Sequence, residues 1–267
     1  MVLMKIYQVD AFADALFEGN PAAVMPVQGW LPDATMQSIA QENNLSETAF
    51  YKPSERADAD YDLRWFTPGR EVDLCGHATL ASAHVLFEHE GYAQDNIRFH
   101  TRSGVLAVSQ RGTELCMDFP ARTLEAVDVS EAAEQAIGCV PSEAWLGQGL
   151  VFVVEAARQV RELRIDMGEI AKLHDYAVLV TAPSDIDGID FVSRFFAPNA
   201  GVNEDPVTGS AHCTLAPLWA NKLGRKTLRA RQLSARGGNV SCEVHTERGR
   251  VLLSGRALTF MQGDLQL

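Results

Sequence analysis

Apolar and polar residues alternate along much of the chain. Period-two runs cover Met4–Ala11, Ala22–Pro26, Thr48–Tyr51, Asp62–Phe66, Ile97–Thr101, Val105–Gln110 and Glu114–Phe119. They resume at Val151–Val154, Ala177–Thr181, Phe191–Phe196, Ala230–Leu233, Val240–Thr246, Arg250–Leu253 and Ala257–Gln262. This spacing predicts β-strands, whose successive side chains point to opposite faces. Three stretches break the rule. One is an amphipathic helix expected from Asp33, its N-cap, through Met36, Ile39 and Ala40. The other two, Gly76–Phe87 and Gly209–Asn221, are apolar round the whole helical circumference, so each belongs in a protein interior. Pro217 removes one intrahelical hydrogen bond, and a kink or break is expected there. Strands outnumber helices without alternating with them, which favours an antiparallel α+β fold over a doubly wound sheet.

The same order of features occurs twice. Arg64-Trp65-Phe66-Thr67-Pro68 returns as Arg194-Phe195-Phe196-Ala197-Pro198, and Gly76, Gly91 and Gly104 return as Gly209, Gly224 and Gly237. Each copy reads as an apolar strand, a Pro-terminated turn, a glycine-opened helix and further strands. Two pseudo-symmetric halves are therefore expected, each a curled, mostly antiparallel sheet around one central buried helix. Residues 1–124 would form the first and 125–267 the second, joined near Ala121–Val129, with the extreme C-terminal strand packing on the first.

Composition narrows the function. Apolar residues at 46% and charged residues at 22% are ordinary for a globular chain. The excess of 35 acidic over 23 basic side chains, a formal charge of −12, disfavours nucleic acid, whose binding rests on Lys and Arg. Five cysteines, odd in number and at no C-x-x-C spacing, argue against a zinc ribbon or a disulfide scaffold and for a reducing compartment. The first ten residues meet charge too early for a signal-peptide core, and no apolar run is long and clean enough for a membrane span. A cytoplasmic protein with no membrane partner is expected.

The glycine-led helix starts are the first candidate chemistry. A helix N-terminus exposes unpaired N–H groups and about half a positive charge, which suits a carboxylate or a developing oxyanion. If the halves are related by a pseudo-twofold, the two starts share a cleft. Equally, Gly76 and Gly209 would serve to pack each helix close to its sheet. His77, in the first turn, is expected to be kept neutral by the helix dipole, as a proton carrier or as a capping or core histidine. Asp205 before Pro206 reads as a turn former or cap, or as a group orienting substrate. Glu47, flanked by Leu45 and Ala49-Phe50, reads as a solvated loop residue or as a partly buried general acid/base with a raised pKa. Cys75 sits well for a helix-start thiolate, but Thr208 occupies its place in the second copy, so a symmetric two-thiol racemase is absent. Gly147-Gln148-Gly149 precedes a strand-like run rather than opening a helix, which excludes a dinucleotide fingerprint. His77 and His84 lack a carboxylate spaced as in known metal sites. No metal and no cofactor is called for.

At these residues the chain resembles the phenazine-biosynthesis isomerase-like (PhzF-like) family, which shares the diaminopimelate epimerase fold. The likeness runs through Asp10-Ala11-Phe12, Gly19-Asn20-Pro21-Ala22, Asn44-Leu45-Ser46-Glu47-Thr48, Arg64–Pro68, Asp73–Thr79 and Glu204–His212. It implies a cofactor-independent isomerase that moves a proton on a small carboxylic acid, commonly as a homodimer. By position it implies Glu47 as general acid/base with His77 and Asp205 beside it. Gly76, Thr208, Gly209 and Ser210 would hold the substrate's carboxylate. Two other readings stay open: an epimerase using Glu47 and a second group on the opposite face, and a small-acid binding protein without turnover.

Overall fold

The computed structural model describes residues 3–267, so residues 1 and 2 of the first expected domain lie outside the described chain. In chain order the elements begin β1 Leu3–Ala11, β2 Asn20–Pro26, α1 Asp33–Asn43, β3 Glu47–Pro53, β4 Tyr61–Phe66, β5 Glu71–Val72, α2 Gly76–Glu88, β6 Asn96–Thr101, β7 Gly104–Arg111 and β8 Glu114–Pro120. There follow β9 Glu125–Val127, α3 Glu131–Ile137, β10 Glu143–Leu146, β11 Leu150–Val153, α4 Ala157–Arg161, α5 Met167–Leu173, β12 Val178–Pro183 and β13 Phe191–Phe196. The chain ends with α6 Gly209–Leu223, β14 Thr227–Gln232, β15 Gly238–His245, β16 Arg250–Gly255 and β17 Ala257–Gln266. It divides into two compact units. The first runs to Asp118 and takes back Ser254–Leu267; the second is Phe119–Leu253. The division falls slightly before the boundary expected after residue 124.

In the first unit β17, β1 and β2 are antiparallel neighbours, β3 joins β2 in parallel, and β4 is antiparallel to β3. From β4 the ladder continues in parallel to β6, then antiparallel to β7 and β8. Helix α2 packs against β17, β1, β2 and β3 and also against β7. Strands from opposite ends of one ladder touch the same helix, so the sheet curls round it. That is why a helix without a polar face is stable here: Ala78, Leu80, Ala81, Ala83, Val85 and Leu86 are all buried. Helix α1 covers the other face, where Met36, Ile39 and Ala40 meet Met25, Phe50 and Phe66. It starts at Asp33, but its N-cap is Pro32 and no side chain caps it. The Asp33 carboxylate instead accepts a hydrogen bond from Arg64 Nη1 at 2.9 Å.

The second unit follows the same plan. β10 and β11 are antiparallel, β12 joins β11 in parallel, β13 is antiparallel to β12, β14 parallel to β13 and β15 antiparallel to β14. On one face Val178, Val180 and Ala182 of β12 join a core with Ala133, Ile137, Val160 and Ile170 of α3, α4 and α5. On the other face, Thr181 Oγ1 accepts the indole N–H of Trp219 from α6 at 2.9 Å. Apolar on one side and covered on both, β12 is buried at every position from Val178 to Ala182. Helix α6 runs through Pro217 as one helix, so the break expected there is absent. The carbonyl that Pro217 leaves without its N–H partner is that of Cys213, and it accepts the Arg122 N–H at 3.0 Å.

Candidate active site

Five side chains converge in the first unit. The chain leaves α1 through Asn44 in the left-handed conformation (φ 47°) and enters β3 at Glu47. Parallel pairing sets Glu47 beside Ala22 of β2, and two residues earlier on that strand Asn20 is fully buried. Gly19, at φ 71°, makes that entry feasible, since a Cβ there would lie 2.3 Å from the Ala11 carbonyl oxygen. Cys75, extended at φ −145° and ψ 110°, is the N-cap residue of α2, and His77 is the helix's second residue.

The resulting geometry is tight. His77 Nε2 lies 2.9 Å from Glu47 Oε2, and the two side chains are 8% and 16% exposed. Cys75 Sγ lies 3.5 Å from His77 Nδ1 and 4.0 Å from Nε2. Asn20 Nδ2 stands 3.4 Å from His77 Nδ1, while Ser46 Oγ donates to Asn20 Oδ1 at 3.0 Å. Thr79 Oγ1 donates to the Cys75 carbonyl at 2.6 Å, tying the residue before Gly76 to the helix. Glu47 Oε2 is shielded from solvent, and despite its contact with His77 it has no well-formed hydrogen bond among the described residues.

The protonation picture corrects one expectation. Burial disfavours a charged His77, but the neighbouring Cys75 and Glu47 outweigh it and hold the imidazole well above the ordinary histidine range. That direction runs against the lowering expected from the helix dipole, while the Asn20 amide, a donor 3.4 Å from Nδ1, suits an unprotonated nitrogen there. Burial, with the Glu47 charge adding to it, pushes the Cys75 thiol up. Glu47, Cys75 and His77 also form a group of metal-ligating types, their ligand atoms within 4.8 Å of one another. Two partners here carried no assigned role in the sequence reading. Asn20 had a signal, a polar residue just after a glycine and inside an apolar strand. Ser46 had none beyond its place next to Glu47.

The other candidates gather at the start of α6 in the second unit. Thr208 is the N-cap residue and its hydroxyl donates to Asp205 Oδ2. Gln232, fully buried on β14, clamps the turn: its Oε1 accepts the Thr208 N–H at 3.0 Å and its Nε2 donates to the Asp205 carbonyl at 2.7 Å. Gly209 is buried and Ser210 half-buried at the helix start. His212 is fully buried, its Nδ1–H donating to the Thr208 carbonyl at 2.8 Å; burial lowers its pKa to about 4. Ala177 precedes β12 where Glu47 opens β3, because Thr48 pairs with Phe66 as Val178 pairs with Phe196.

A family model described as phenazine biosynthesis-like protein matches residues 9–263. The chain belongs to that family. An uncharacterized isomerase of Pseudomonas aeruginosa is 49% identical over 264 residues, covering 99% of each chain. A crystal structure of a phenazine biosynthesis protein of the PhzF family from Enterococcus faecalis superposes with a TM-score of 0.94 at 44% identity, covering 100% of both chains. A predicted epimerase of Pseudomonas aeruginosa, 22% identical with a TM-score of 0.71 and covering 99% of each chain, shares the fold. This phenazine biosynthesis-like protein is thus an isomerase with the mixed α+β, epimerase-type fold. No helix among the described residues is long and apolar enough to cross a membrane.

Proposed function

We propose that this protein is a cofactor-independent isomerase acting on a small carboxylic acid, with Glu47 as the general acid/base. The observation that carries the reading is the Glu47 carboxylate, shielded from water at Oε2 and 2.9 Å from His77 Nε2. Glu47 takes a proton from a carbon acidified by a neighbouring carboxylate or carbonyl and returns it to another carbon, moving a double bond. His77, its Nε2 2.9 Å from the Glu47 carboxylate, supplies the proton that offsets the negative charge building as the substrate becomes an enolate. The free N–H groups at the Gly76 start of α2 hold the substrate's carboxylate. We assign the same anion-holding task to Gly209 and Ser210 at the start of α6, with Thr208, whose N–H and hydroxyl are taken by Gln232 and Asp205, fixing the turn. All five cysteines are free thiols, which supports the cytoplasm as its compartment. We also take the working form to be a homodimer, which light scattering of the purified protein checks.

The test is isotopic. In heavy water, a panel of small unsaturated or cyclic acids is incubated with enzyme, and deuterium entry is followed by mass spectrometry. One substrate is expected to gain label at the migrated position. The near-isosteric Glu47→Gln is expected to slow this about 10²- to 10⁴-fold while still folding. Full activity of that variant overturns the assignment. Inversion at the labelled carbon without double-bond movement turns the reading into an epimerase. Ligand that raises the melting temperature with neither label nor product turns it into a binding protein.

A further inference from the structure

The cluster at Glu47 offers more than acid/base groups. Cys75 presents a sulfur, His77 a nitrogen and Glu47 an oxygen, all from buried or largely buried side chains, with the ligand atoms within 4.8 Å of one another. Mixed sulfur, nitrogen and oxygen sets of this kind suit borderline-soft divalent cations such as zinc, which bind three protein ligands and keep one position open. The thiolate and carboxylate together balance the charge of a divalent ion, so the buried set needs no further counter-ion. His77 Nε2 is the nitrogen nearer Glu47, while Nδ1 faces the Asn20 amide at 3.4 Å. Asn20 is fully buried, its oxygen accepting from Ser46 and its amide N–H directed at Nδ1. Among the described residues no other group of three or more such side chains brings one ligand atom from each within 4.8 Å of the others.

We propose that Cys75, His77 and Glu47 form a binding site for a zinc-class divalent cation, and that occupancy switches the enzyme off. The inference rests on Glu47 being the acid/base only for its second half. On coordination the sulfur–hydrogen bond of Cys75 breaks and the His77 nitrogen that binds gives up its proton; both protons pass to solvent, and sulfur–metal and nitrogen–metal bonds form with no change of oxidation state. Glu47 then donates its lone pair to the metal and can no longer receive a proton from carbon.

Cobalt(II) is the probe, because a bound thiolate gives it a near-ultraviolet charge-transfer band. Titrating the full chain with cobalt chloride under reducing, chelator-free conditions is expected to give that band at one equivalent, with zinc displacing it. In Cys75→Ser the band is expected to vanish. Affinity in Glu47→Gln is expected to fall by more than the roughly 10- to 100-fold that loss of an outer contact costs. Cys116, Cys139, Cys213 and Cys242 stay in the Cys75→Ser chain, so a band that persists there comes from them and overturns the site. Absence of a band in the folded wild type overturns it as well. Circular dichroism of both variants separates lost binding from lost folding. These readings hold whether or not Glu47→Gln turns out to be inactive. Metal bound at the site with isotope exchange undiminished overturns only the switching half.

Discussion

The two helix starts share one scaffold and differ in chemistry. Ahead of each lies a strand whose arginine grips a glutamate through two hydrogen bonds and stacks on a phenylalanine: Arg64 with Glu71 and Phe66, Arg194 with Glu204 and Phe196. In each, a side chain one turn into the helix donates back to the carbonyl before the opening glycine, Thr79 to Cys75 and His212 to Thr208. On that common frame the first unit places Cys75, His77 and Glu47, where the second has Thr208, Ser210 and Ala177. One start gathers a thiol, an imidazole and a carboxylate; at the other, the Asp205 carboxylate is tied into the turn by the Thr208 hydroxyl. The repeat preserves what positions main-chain donors and leaves the proton-carrying side chains free to diverge.

The largest effect expected from breaking this comparison is catalytic. Glu47→Gln should lower isotope exchange about 10²- to 10⁴-fold, as above, whereas Asp205→Asn should lower it about tenfold. The smaller figure follows from the proposal that the Asp205 carboxylate, engaged by the Thr208 hydroxyl, fixes the turn. Equal losses in the two variants would put both starts in the same role. The arginine forks come next. Arg194→Met strands Glu204, with a loss of about 3 kcal/mol in urea unfolding, whereas Arg64→Met should cost only about 1–2 kcal/mol. The reason is that Glu71 keeps Arg102 at 2.6 Å. A larger loss for Arg64→Met would show that the forks are not equivalent.

Acid gives a smaller, signed effect. Burial, helped by His89, depresses His84 to about 4, and burial depresses His212 to the same range. Free histidine titrates near 6.5, so the unfolded chain takes up protons that the fold refuses. Stability from these two residues is complete above that value and drains away as pH falls toward 4, each losing about 2 kcal/mol by pH 5. His77 has the opposite sign. Its raised value makes its contribution complete below the unfolded value and lost as pH climbs through the folded one. Comparing urea midpoints at pH 7 and pH 5, His212→Gln should lose about 2 kcal/mol less than wild type. An unchanged acid loss would mean that His212 titrates freely. Smallest of all is Pro217→Ala. A proline inside a helix ordinarily costs about 3 kcal/mol, but Arg122 already satisfies the Cys213 carbonyl, so the substitution should shift stability by less than about 1 kcal/mol.

Much of the first unit was legible because its signals are local. Phe191–Phe196 in the second unit falls on its expected bounds, and the buried helices announce themselves by having no polar face. Helices α3, α4 and α5 went unread. At 7, 5 and 7 residues each spans two turns or fewer, too short for a helical period to stand out. Their caps were visible in hindsight: Ser130 accepts the Ala133 N–H and Asp166 accepts those of Gly168 and Glu169. Within the site, Glu47 and His77 were legible as residue types in suggestive places. Their protonation was not, because beside the nearby Cys75 thiol it depends on a carboxylate from β3, 30 residues before the ring. No sequence window contains that arrangement. Asn20 showed only as a polar residue after Gly19, because its partner lies 57 residues away.

The pairing of β17 with β1 has a temporal side. During synthesis the second unit has all of its strands before Ala257–Gln266 exists, while the earlier-made unit still lacks the neighbour for one edge of β1 and one of the walls around α2. The later half thus has its strands in hand first, and the half bearing Glu47 and His77 is sealed only once Ala257–Gln266 has been made.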